Sequence, residues 1–351
     1  MNGVRCLVTS IGGIGVGDQI TKALRMTGEH HLVGCDVSDE VAQRRSVDQF
    51  VRLPRADNPS YVDRLLVALD DLRIDAAFCG SEAELVVWNR HRSALEESGA
   101  MIAIGTPFAI DTAMNKQATD AFLRSEGFNV PRSLVLAGMD DIDLIDFFPV
   151  IVKPSSGGGG SRDVFLAQSR AELEALLTYL GRAGSLIQEY IGTPDSEFTV
   201  GVLHDLDGRF INSIAVKRLL TSGLNVRSSQ PNRTTKSLLG EVLVISSGIS
   251  HGWVGRFPEV TRQCEPIAEA IGPRGPMNIQ CRLVGDEVFV FEINPRFSGT
   301  TSIRALMGFN EPQILIQTHI TGEAVPERFE YRTGLVLRSL VESLVQGHED
   351  G

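Results

Sequence analysis

The chain has 351 residues, 44 acidic and 33 basic, so its formal net charge at pH 7 is −11. A protein this acidic is a poor match for the phosphates of nucleic acid or for an anionic membrane surface. Its composition, 42% hydrophobic and 22% charged, is that of a globular protein and excludes disordered and fibrous classes. We expect small-molecule partners, no nucleic acid and no membrane.

We expect neither a signal peptide nor a membrane-spanning helix. No apolar run approaches the roughly 20 residues that a membrane helix needs, and residues 1–8 run into glycines rather than the apolar core of a signal peptide. The five cysteines are widely separated and form no CxxC pair. This spacing favours reduced, buried thiols over disulfides or a structural zinc. We therefore predict a cytoplasmic protein.

Residues 1–113 alternate short apolar runs with helical periods. The predicted strands are residues 4–9, 31–36, 75–81 and 100–105, and the predicted helices follow Asp18, cover 61–69 and cover 82–97 as far as Gly99. Parallel strands need crossover connections, which helices supply. The order therefore predicts a Rossmann-like domain, with a parallel sheet and helices on both faces.

Residues 114–191 predict a small lobe that mixes helices and strands. The predicted elements are a helix at 115–125, strands at 133–136, 150–154 and 163–167, a helix ending near Gly181 and a strand at 185–191. The helix before Gly181 begins at Ser169 and Glu172, which have the spacing of a capping box. The chain as a whole is thus predicted to be α/β and α+β.

Residues 192–341 carry mainly antiparallel signals and predict a larger lobe. The predicted strands are 197–204, 209–216, 277–284, 287–294 and 334–341, and the predicted helices are 258–271, 300–309 and 312–321. The polar segment 221–236 shows no strong period, so we expect a loop over a site. Residues 342–351 are predicted to be a tail.

A glycine-rich loop separates two strands of the small lobe. It consists of Ser156, Gly157, Gly158, Gly159, Gly160 and Ser161. Consecutive glycines lose much backbone entropy on folding unless something approaches the main chain closely. Lys153 lies just before them on an otherwise apolar strand, where a buried ammonium needs an anionic partner. The pattern predicts a bound phosphate; the alternative is a flexible linker with a lysine that reaches solvent.

A carboxylate and an amide continue an apolar strand face near residue 290. Because side chains alternate along a strand, Glu292 and Asn294 share the face of Val290. Oxygen ligands on a rigid strand suit Mg²⁺. A hairpin loop of three or five residues would turn Gln280 to the same face, whereas an even loop would turn it away. Arg296 follows, where it could offset charge on a transferring phosphoryl group.

A second group of glycines follows the first predicted strand: Gly12, Gly13, Gly15 and Gly17. A strand that turns into a helix there suits a dinucleotide phosphate, and Asp36 ends the next strand. This leaves open a nicotinamide-dependent (NAD(P)) oxidoreductase. However, the spacing is G-x-G-x-G rather than G-x-G-x-x-G, and tight packing of the helix on the sheet explains the same glycines.

Together these motifs resemble the ATP-grasp superfamily, particularly the large-subunit units of carbamoyl-phosphate synthetase and the single-unit amino-acid ligases. The resemblance covers almost the whole chain. It rests on Asn115-Lys116, Val150 to Pro154 with the glycine-rich loop, Gln188 to Ile191 with Glu197, and Gln280 with Glu292 to Arg296. It implies an ATP-grasp fold in which the Rossmann-like domain precedes two lobes.

The resemblance also implies a role for each matching residue. Lys116, Lys153 and Lys217 would contact phosphates under the glycine-rich loop, Glu189, Tyr190 and Ile191 would meet the adenine, and Glu197 would meet the ribose. Gln280, Glu292 and Asn294 would bind Mg²⁺, with Mn²⁺ as an alternative ion. Arg296 and Lys153 would be the catalytic residues.

The implied activity is that of an ATP- and Mg²⁺-dependent carboxylate–amine ligase that acts through an acyl phosphate and releases ADP and phosphate. Its partners would be a small carboxylate and an amine, and a homodimer is compatible with the pattern. One alternative is phosphorylation of bicarbonate or carbamate. The residues after Arg296 lack the second arginine expected for bicarbonate, which favours a stand-alone ligase. Another alternative is a nucleotide-binding protein without turnover.

Overall fold

A computed structural model describes residues 3–155, 163–180, 184–221 and 223–342. Two of the sequence predictions fall outside these ranges: the glycine-rich loop from Ser156 to Ser161 and the tail after Glu342. The described residues form three main sheets and one two-stranded ribbon.

The first sheet has five parallel strands in the order β3-β2-β1-β4-β5. Its strands are β1 (Arg5–Val8), β2 (His31–Asp36), β3 (Gln49–Arg52), β4 (Ala76–Phe78) and β5 (Met101–Ile102). Its helices are α1 (Val16–Arg25), α2 (Tyr61–Asp71), α3 (Glu82–Arg90), α4 (Arg92–Glu97) and α5 (Pro107–Ala113). Both faces are buried: Leu7 and Val33 lie in one core, while Cys6 and Leu32 lie in another. The predicted Rossmann-like sheet is confirmed.

The helix predicted over 82–97 is two helices, because the chain leaves the helical conformation at His91 (φ −108°, ψ 22°). Trp88 and Leu95, on either side of the break, lie in the same buried core. β3 and α5 were not predicted. β3 is a short edge strand whose four residues are only partly buried or exposed, so it carries little hydrophobic pattern.

The small lobe contains a four-stranded antiparallel sheet in the order β6-β9-β7-β8. Its elements are α6 (Lys116–Ser125), β6 (Ser133–Val135), β7 (Val150–Pro154), β8 (Phe165–Ala167), α7 (Arg170–Leu180) and β9 (Ser185–Glu189). The Asn115 side chain caps α6 by accepting from the N–H groups of Gln117 and Ala118. This cap fixes where the helix begins, and it places Lys116 at the first helical position.

The third sheet has six antiparallel strands in the order β16-β15-β10-β11-β14-β17. These are β10 (Glu197–His204), β11 (Phe210–Arg218), β14 (Gly252–Gly255), β15 (Pro276–Val284), β16 (Glu287–Asn294) and β17 (Gly334–Val336). The helices are α8 (Pro258–Ile271), α9 (Thr301–Leu306) and α10 (Glu311–Ile316), followed by a π-helical turn at Gln317–Thr321. Phe198 and Cys281 pack with α8 on one face, so the residues that alternate with them face the other way.

Segment 221–236 does not form the loop that we predicted. Val226–Pro231 is strand β12, which pairs antiparallel with β13 (Val242–Ser246) in a separate two-stranded ribbon. Burial along β12 alternates between partly buried and exposed residues, none fully buried. The side chains are mostly polar, so the hydrophobic period that marks a strand is absent from the sequence. Short 3₁₀ turns occur at Ala42–Ser46, Met139–Leu144, Pro194–Ser196 and Ser237–Leu239.

Within the described ranges no helix is long and apolar enough to cross a membrane. All five cysteines are free and buried, as expected. Burial raises the pKa of Cys6 to about 12 and raises those of Cys35 and Cys79 well above their usual value. A hydrogen bond with Cys264, together with burial, raises the pKa of Cys281 well above its usual value. These four thiols are therefore protonated and unreactive at neutral pH.

Candidate functional site

Gln280 and Glu292 are direct partners in the β15–β16 hairpin. The turn between Val284 and Glu287 has two residues, and an even loop should have placed Gln280 opposite Phe291, facing away from Glu292. A bulge changes this: Cys281 pairs with Val290 and Gln280 with Glu292, so Phe291 is an extra residue. The bulge puts the amide of Gln280 and the carboxylate of Glu292 on one face. It also turns Val290 to the opposite face with Cys281, so the prediction that Glu292 shares the face of Val290 is wrong.

A chain of hydrogen bonds leads from Glu292 to the end of the strand. Glu292 Oε1 accepts from Asn294 Nδ2 at 3.0 Å, and Asn294 Oδ1 accepts from Arg296 Nη2 at 3.1 Å. The same Nη2 donates to Glu82 at 2.6 Å. The three residues predicted at the end of β16 are thus brought together, and Glu82 of α3 joins them.

Sequence reasoning missed Glu82, which is the first residue of a helix in the parallel-sheet part of the chain. The only sequence feature that could have pointed to Glu82 is its place directly after the helix-capping Ser81 at the end of a strand. Many ordinary helices begin with the same pattern. Burial opposes the negative charge of Glu82, but Arg296 and then Lys116 outweigh it and lower the pKa of this carboxylate. Glu82 is therefore ionised at neutral pH.

Lys153 lies 8% exposed on β7, facing the hairpin. Its Nζ donates to Gln188 Oε1 at 2.8 Å and to the carbonyl of the bulged Phe291 at 3.2 Å. Burial lowers the pKa of Lys153 to about 8, although nearby Glu292 raises it in part. Lys116 lowers the pKa further by charge repulsion. The two ammonium groups lie close together and one of them is buried. A bound anion would therefore stabilise this site.

A cleft of about 730 Å³ separates the small-lobe sheet from the six-stranded sheet. Lys116, Lys153, Gln280 and Glu292 line it. The rest of its wall is mostly apolar and includes Pro131, Ile151, Val164, Tyr190, Ile191, Val244, Ile245 and Phe291. Pockets of this size with apolar walls and a few polar groups are typical of small-molecule and cofactor sites. Glu189, also in the lining, accepts a hydrogen bond from Lys236 at 3.3 Å.

Glu197 reaches the same cleft but is held by two arginines. Arg218 Nη1 donates to its Oε1 at 3.0 Å, and Arg282 Nη2 and Nε donate to its Oε2 at 2.9 and 3.2 Å. Burial opposes ionisation, yet Arg218 and Arg282 outweigh it and lower the pKa of Glu197. Arg282 also stacks over Tyr190, 4.3 Å from the ring centre. The predicted contact of Glu197 with a ribose stays a prediction, and the structure adds a buried ion-pair triad.

Lys217 does not fit the role that the sequence assigned to it. In β11 it pairs with Phe198 and Trp253, whereas Thr199, the next residue of β10, pairs with Gln280. Alternation therefore puts Lys217 on the sheet face opposite Gln280, and the cation on the site face is its neighbour Arg218. Sequence alone could not set this register.

A second cavity opens on the other side of Gln280 and Glu292. Its lining includes Thr199, Arg218, Asn278, Gln280, Glu292, Arg296 and Ser298 from the six-stranded sheet and its loops, together with Ile14, Gly15 and Val16 from the first glycine-rich turn. We call it the acceptor cavity. Gln280 and Glu292 thus form the wall between two spaces, one mostly apolar and the other mostly polar.

Packing explains two of the first four glycines. A Cβ on Gly17 would lie 2.3 Å from the carbonyl oxygens of Thr9 and Ser10, and Gly12 N–H donates to the Asp36 carboxylate at 2.7 Å. Asp36 therefore fixes the conformation of this turn. The positive φ of 73° accounts for Gly13, whereas a Cβ on Gly15 would meet no atom within 4 Å and packing does not explain that glycine.

The residues near Glu292 fit a hard divalent cation. One carboxylate and two amides, Gln280 and Asn294, lie at the end of one hairpin, and Mg²⁺ prefers a few protein oxygens completed by water and phosphate. Among the described residues no separate group of three or more His, Cys, Asp or Glu side chains could hold a metal ion. A cation here would depend on phosphate oxygens, because the protein supplies only one negative charge.

A family model described as "ATP-grasp in the biosynthetic pathway with Ter operon" matches residues 249–342, a range that includes Gln280, Glu292 and Asn294. Across 202 residues the chain is 25% identical to the carbamoyl phosphate synthase large chain of Synechocystis sp., covering 56% of this chain and 17% of that protein. The chain therefore spans less than a fifth of that relative.

Solved structures share the architecture. The chain superposes on the ADP complex of an N5-carboxyaminoimidazole ribonucleotide synthetase with a TM-score of 0.65, at 13% identity, covering 95% of this chain and 79% of that one. The chain has the ATP-grasp fold. An L-amino acid ligase from Bacillus licheniformis gives a TM-score of 0.61 at 16% identity, covering 91% of this ATP-grasp chain and 74% of the ligase. At such identities the likeness establishes the fold alone.

Proposed function

We propose that this ATP-grasp protein is an ATP- and Mg²⁺-dependent ligase that joins a carboxylate to an amine through an acyl phosphate. One observation carries the proposal: Lys116, Lys153, Glu292 and Arg296 converge between two cavities that Gln280 and Glu292 separate. The apolar cleft suits a nucleotide base and the polar cavity suits an acid. A phosphoryl group could pass between them at this wall.

The nucleotide would lie in the cleft with its base against Tyr190 and Ile191 and its phosphates towards Lys116 and Lys153. Glu189 is the last residue of β9, and Tyr190 and Ile191 follow it, so the chain leaves the sheet here and its backbone could pair with an adenine. The glycine-rich loop after β7 is a sequence-based proposal for further phosphate contacts. Gln280, Glu292 and Asn294 would hold Mg²⁺, which supplies charge neutralisation of the phosphates when bound.

The first step would join a carboxylate oxygen to the γ-phosphorus while the bond to the β–γ bridging oxygen breaks. The products are the acyl phosphate and ADP, and total charge is conserved. Both reactants are anionic, so they repel each other. Lys153 and Arg296 offset this repulsion from fixed positions, which costs no reorganisation during the reaction. Glu82 and Asn294 hold the Arg296 guanidinium in place.

In the second step the neutral amine would attack the acyl carbon, the C–O bond to phosphate would break, and the amine proton would leave with phosphate as hydrogen phosphate. Holding the partners in line contributes on the order of 7–11 kcal/mol to lowering the barrier.

The buried thiols fit a reducing compartment, so we also propose that the protein is cytosolic.

Purified protein should release ADP only when an acid is present, and hydroxylamine should trap the acyl group as a hydroxamate. Lys153→Ala and Glu292→Ala should both abolish hydroxamate formation. Full activity in both variants would refute the assignment. Glu287→Ala serves as a control because Glu287 lies on the same strand as Glu292 but at its exposed end.

A second candidate is phosphorylation of bicarbonate or carbamate, favoured by the match to carbamoyl phosphate synthase large chains. The acceptor cavity, at about 1140 Å³, is much larger than bicarbonate requires. ADP release with bicarbonate and ammonia alone would support this second candidate and argue against the amide ligase.

A further inference from the structure

A groove continues outward from the acceptor cavity, and the reaction described so far does not use it. Its volume is about 700 Å³. Most of its lining is apolar: Ile14, Met26, Leu224, Ile249, Ile303, Leu306, Val336, Leu337 and Leu340. We call it the apolar groove. Its walls come from the two ends of α1, from α9 and from the segment after β17.

The apolar groove and the acceptor cavity meet at two side chains. Ile14, in the glycine-rich turn before α1, and Ile249, in the loop before β14, line both spaces. A molecule whose head reaches Glu292 and Arg296 can therefore extend past these isoleucines into the groove. Polarity changes along the way, since polar residues predominate in the lining of the acceptor cavity while apolar residues predominate in that of the groove.

Large apolar side chains at the rim of the groove are exposed to solvent. Ile14 and Met26 are each 49% exposed, Leu306 is 45% exposed, and Leu337 and Leu340 are 60% and 70% exposed. Single exposed apolar residues are ordinary, but several around one groove are characteristic of a binding site. An apolar chain laid along them would remove that surface from water.

The positive charge at the floor of the groove restricts which ligand side chains the groove can bind. Arg338 donates to neutral oxygens only, those of Gln19 at 2.7 Å, Gly299 at 2.5 Å and Ser302 at 3.4 Å. No carboxylate among the described residues lies within 4.0 Å of it. Burial lowers the pKa of Arg338 to about 10, so it stays charged at pH 7.

Lys22, the other cation of the floor, is neutralised by Asp18 at 2.6 Å. The floor thus carries one positive charge without a paired carboxylate. This charge repels an ammonium or guanidinium group, and it tolerates or attracts a neutral or anionic one.

We propose that the apolar groove binds the chain of the carboxylate substrate, which is therefore an acid with an apolar, non-cationic chain. This inference rests on the proposed function. The carboxylate occupies the acceptor cavity beside Arg296, and the chain runs between Ile14 and Ile249 towards Leu306. Basic amino acids are excluded by Arg338.

A series of unbranched acids from acetate to decanoate tests the proposal, with ATP, Mg²⁺ and hydroxylamine as trap. We expect kcat/KM for hydroxamate formation to rise about three- to fourfold for each added methylene until the groove is filled. The amine-bearing analogue 6-aminohexanoate should react more slowly than hexanoate. A flat series with hydroxamate formed throughout would overturn the inference while leaving the ligase proposal intact.

Leu306→Glu and Leu337→Glu should flatten the series without changing turnover of acetate, since neither residue belongs to the catalytic machinery. Two variants are used because one of them could impair folding. Val67→Glu is the matched control: Val67 is 52% exposed on α2 and lines neither space. An unchanged chain-length dependence in both groove variants would refute the site.

Calorimetric titration with decanoate separates this inference from the proposed function. Binding that is lost in Leu306→Glu, without ADP release for any acid, would support the groove and refute the ligase. Absence of binding and of chain-length dependence would refute the groove. Analytical ultracentrifugation tests whether a second copy of the chain covers the groove. If the protein is a dimer that Leu306→Glu dissociates, and the chain-length dependence is the same in both proteins, the inference is overturned.

Discussion

The Glu82 carboxylate lies 2.6 Å from the Arg296 guanidinium, which joins α3 of the parallel sheet to the loop after β16. The two residues are 214 positions apart. Glu82 also lines the cavity that contains Lys116, Lys153 and Glu292. The parallel-sheet part of the chain therefore supplies a charged group to the candidate site as well as the wall of the acceptor cavity.

Replacement of Glu82 by Gln should impair turnover more than nucleotide binding. We expect kcat to fall about 10- to 100-fold, because hydrogen bonds to charged groups contribute about 1.5–3 kcal/mol and a freed Arg296 would no longer be held near the transferring phosphoryl group. KM for ATP should change less than twofold. Steady-state kinetics of hydroxamate formation measures both constants.

Two variants control this experiment. Glu97→Gln removes an exposed carboxylate from the end of α4 and should have no effect. Glu82→Asp keeps the charge and should recover part of kcat, whereas a purely structural role would make both Glu82 variants unstable. A rise in KM for the acid with unchanged kcat would instead show that Glu82 binds substrate.

Lys153 should impose an upper pH limit on ATP use. Burial lowers its pKa from 10.5 to about 8, and in the proposed site only the protonated form would attract the triphosphate. We therefore expect kcat/KM for ATP to be constant below pH 8 and to fall about tenfold per pH unit above it. In Lys153→Arg the guanidinium stays charged, so any remaining activity should show no such fall. An identical alkaline fall in the arginine variant would assign the titration to another group.

Glu292 is the single carboxylate of the proposed metal site, so the metal should bind well only together with the nucleotide. Mg²⁺ alone should bind weakly in calorimetry, and tightly once a non-hydrolysable ATP analogue is added. Glu292→Gln removes the only protein charge and should raise the Mg²⁺ concentration for half-maximal ADP release at least tenfold. Glu287→Gln should behave as the unaltered protein, and an equal shift in it would contradict the assignment. Mn²⁺ should replace Mg²⁺ in the unaltered protein.

Local signals were enough for much of the fold. The helix predicted over 258–271 has those bounds in the structure, because a proline at its first position and an apolar period mark it in the sequence. Strand alternation also put Glu292 and Asn294 on one face, but it was wrong to put Val290 there with them, because the bulge turns Val290 into the core beside its partner Cys281. The ATP-grasp assignment followed from the order and spacing of such local motifs along the chain, and it is confirmed.

Features that depend on distant residues could not be predicted. The bulge at Phe291 decides which way Gln280 faces, and the carbonyl of Phe291 accepts a hydrogen bond from the distant Lys153. Arg304 would ordinarily be read as solvated or as part of a pocket, yet it is buried and paired with Glu311 at 3.0 Å, with Gly201 leaving room for it. In each case a partner outside the local sequence sets the outcome.

Replacement of Glu197 tests whether this buried carboxylate stabilises the fold or binds the nucleotide. Glu197→Ala would leave Arg218 and Arg282 as two buried cations without their partner, so we expect the free energy of unfolding to fall by about 3–5 kcal/mol. Urea unfolding without nucleotide measures this. The contribution should also disappear as the pH falls through the lowered pKa of Glu197, since the protonated acid no longer pairs with the arginines.

The KM values for ATP and for 2′-deoxy-ATP distinguish these two roles of Glu197. Both oxygens of Glu197 already accept from arginine, so in the nearly isosteric Glu197→Gln we expect KM to rise by the same factor for ATP and for 2′-deoxy-ATP. A direct contact with the 2′-hydroxyl would instead raise KM for ATP alone and bring the two values together. Glu189→Gln is the control, because that carboxylate lines the same cleft but pairs with the half-exposed Lys236. Equal shifts in KM with a loss of stability would assign Glu197 to the ion-pair triad, whereas a selective loss for ATP would assign it to the ribose.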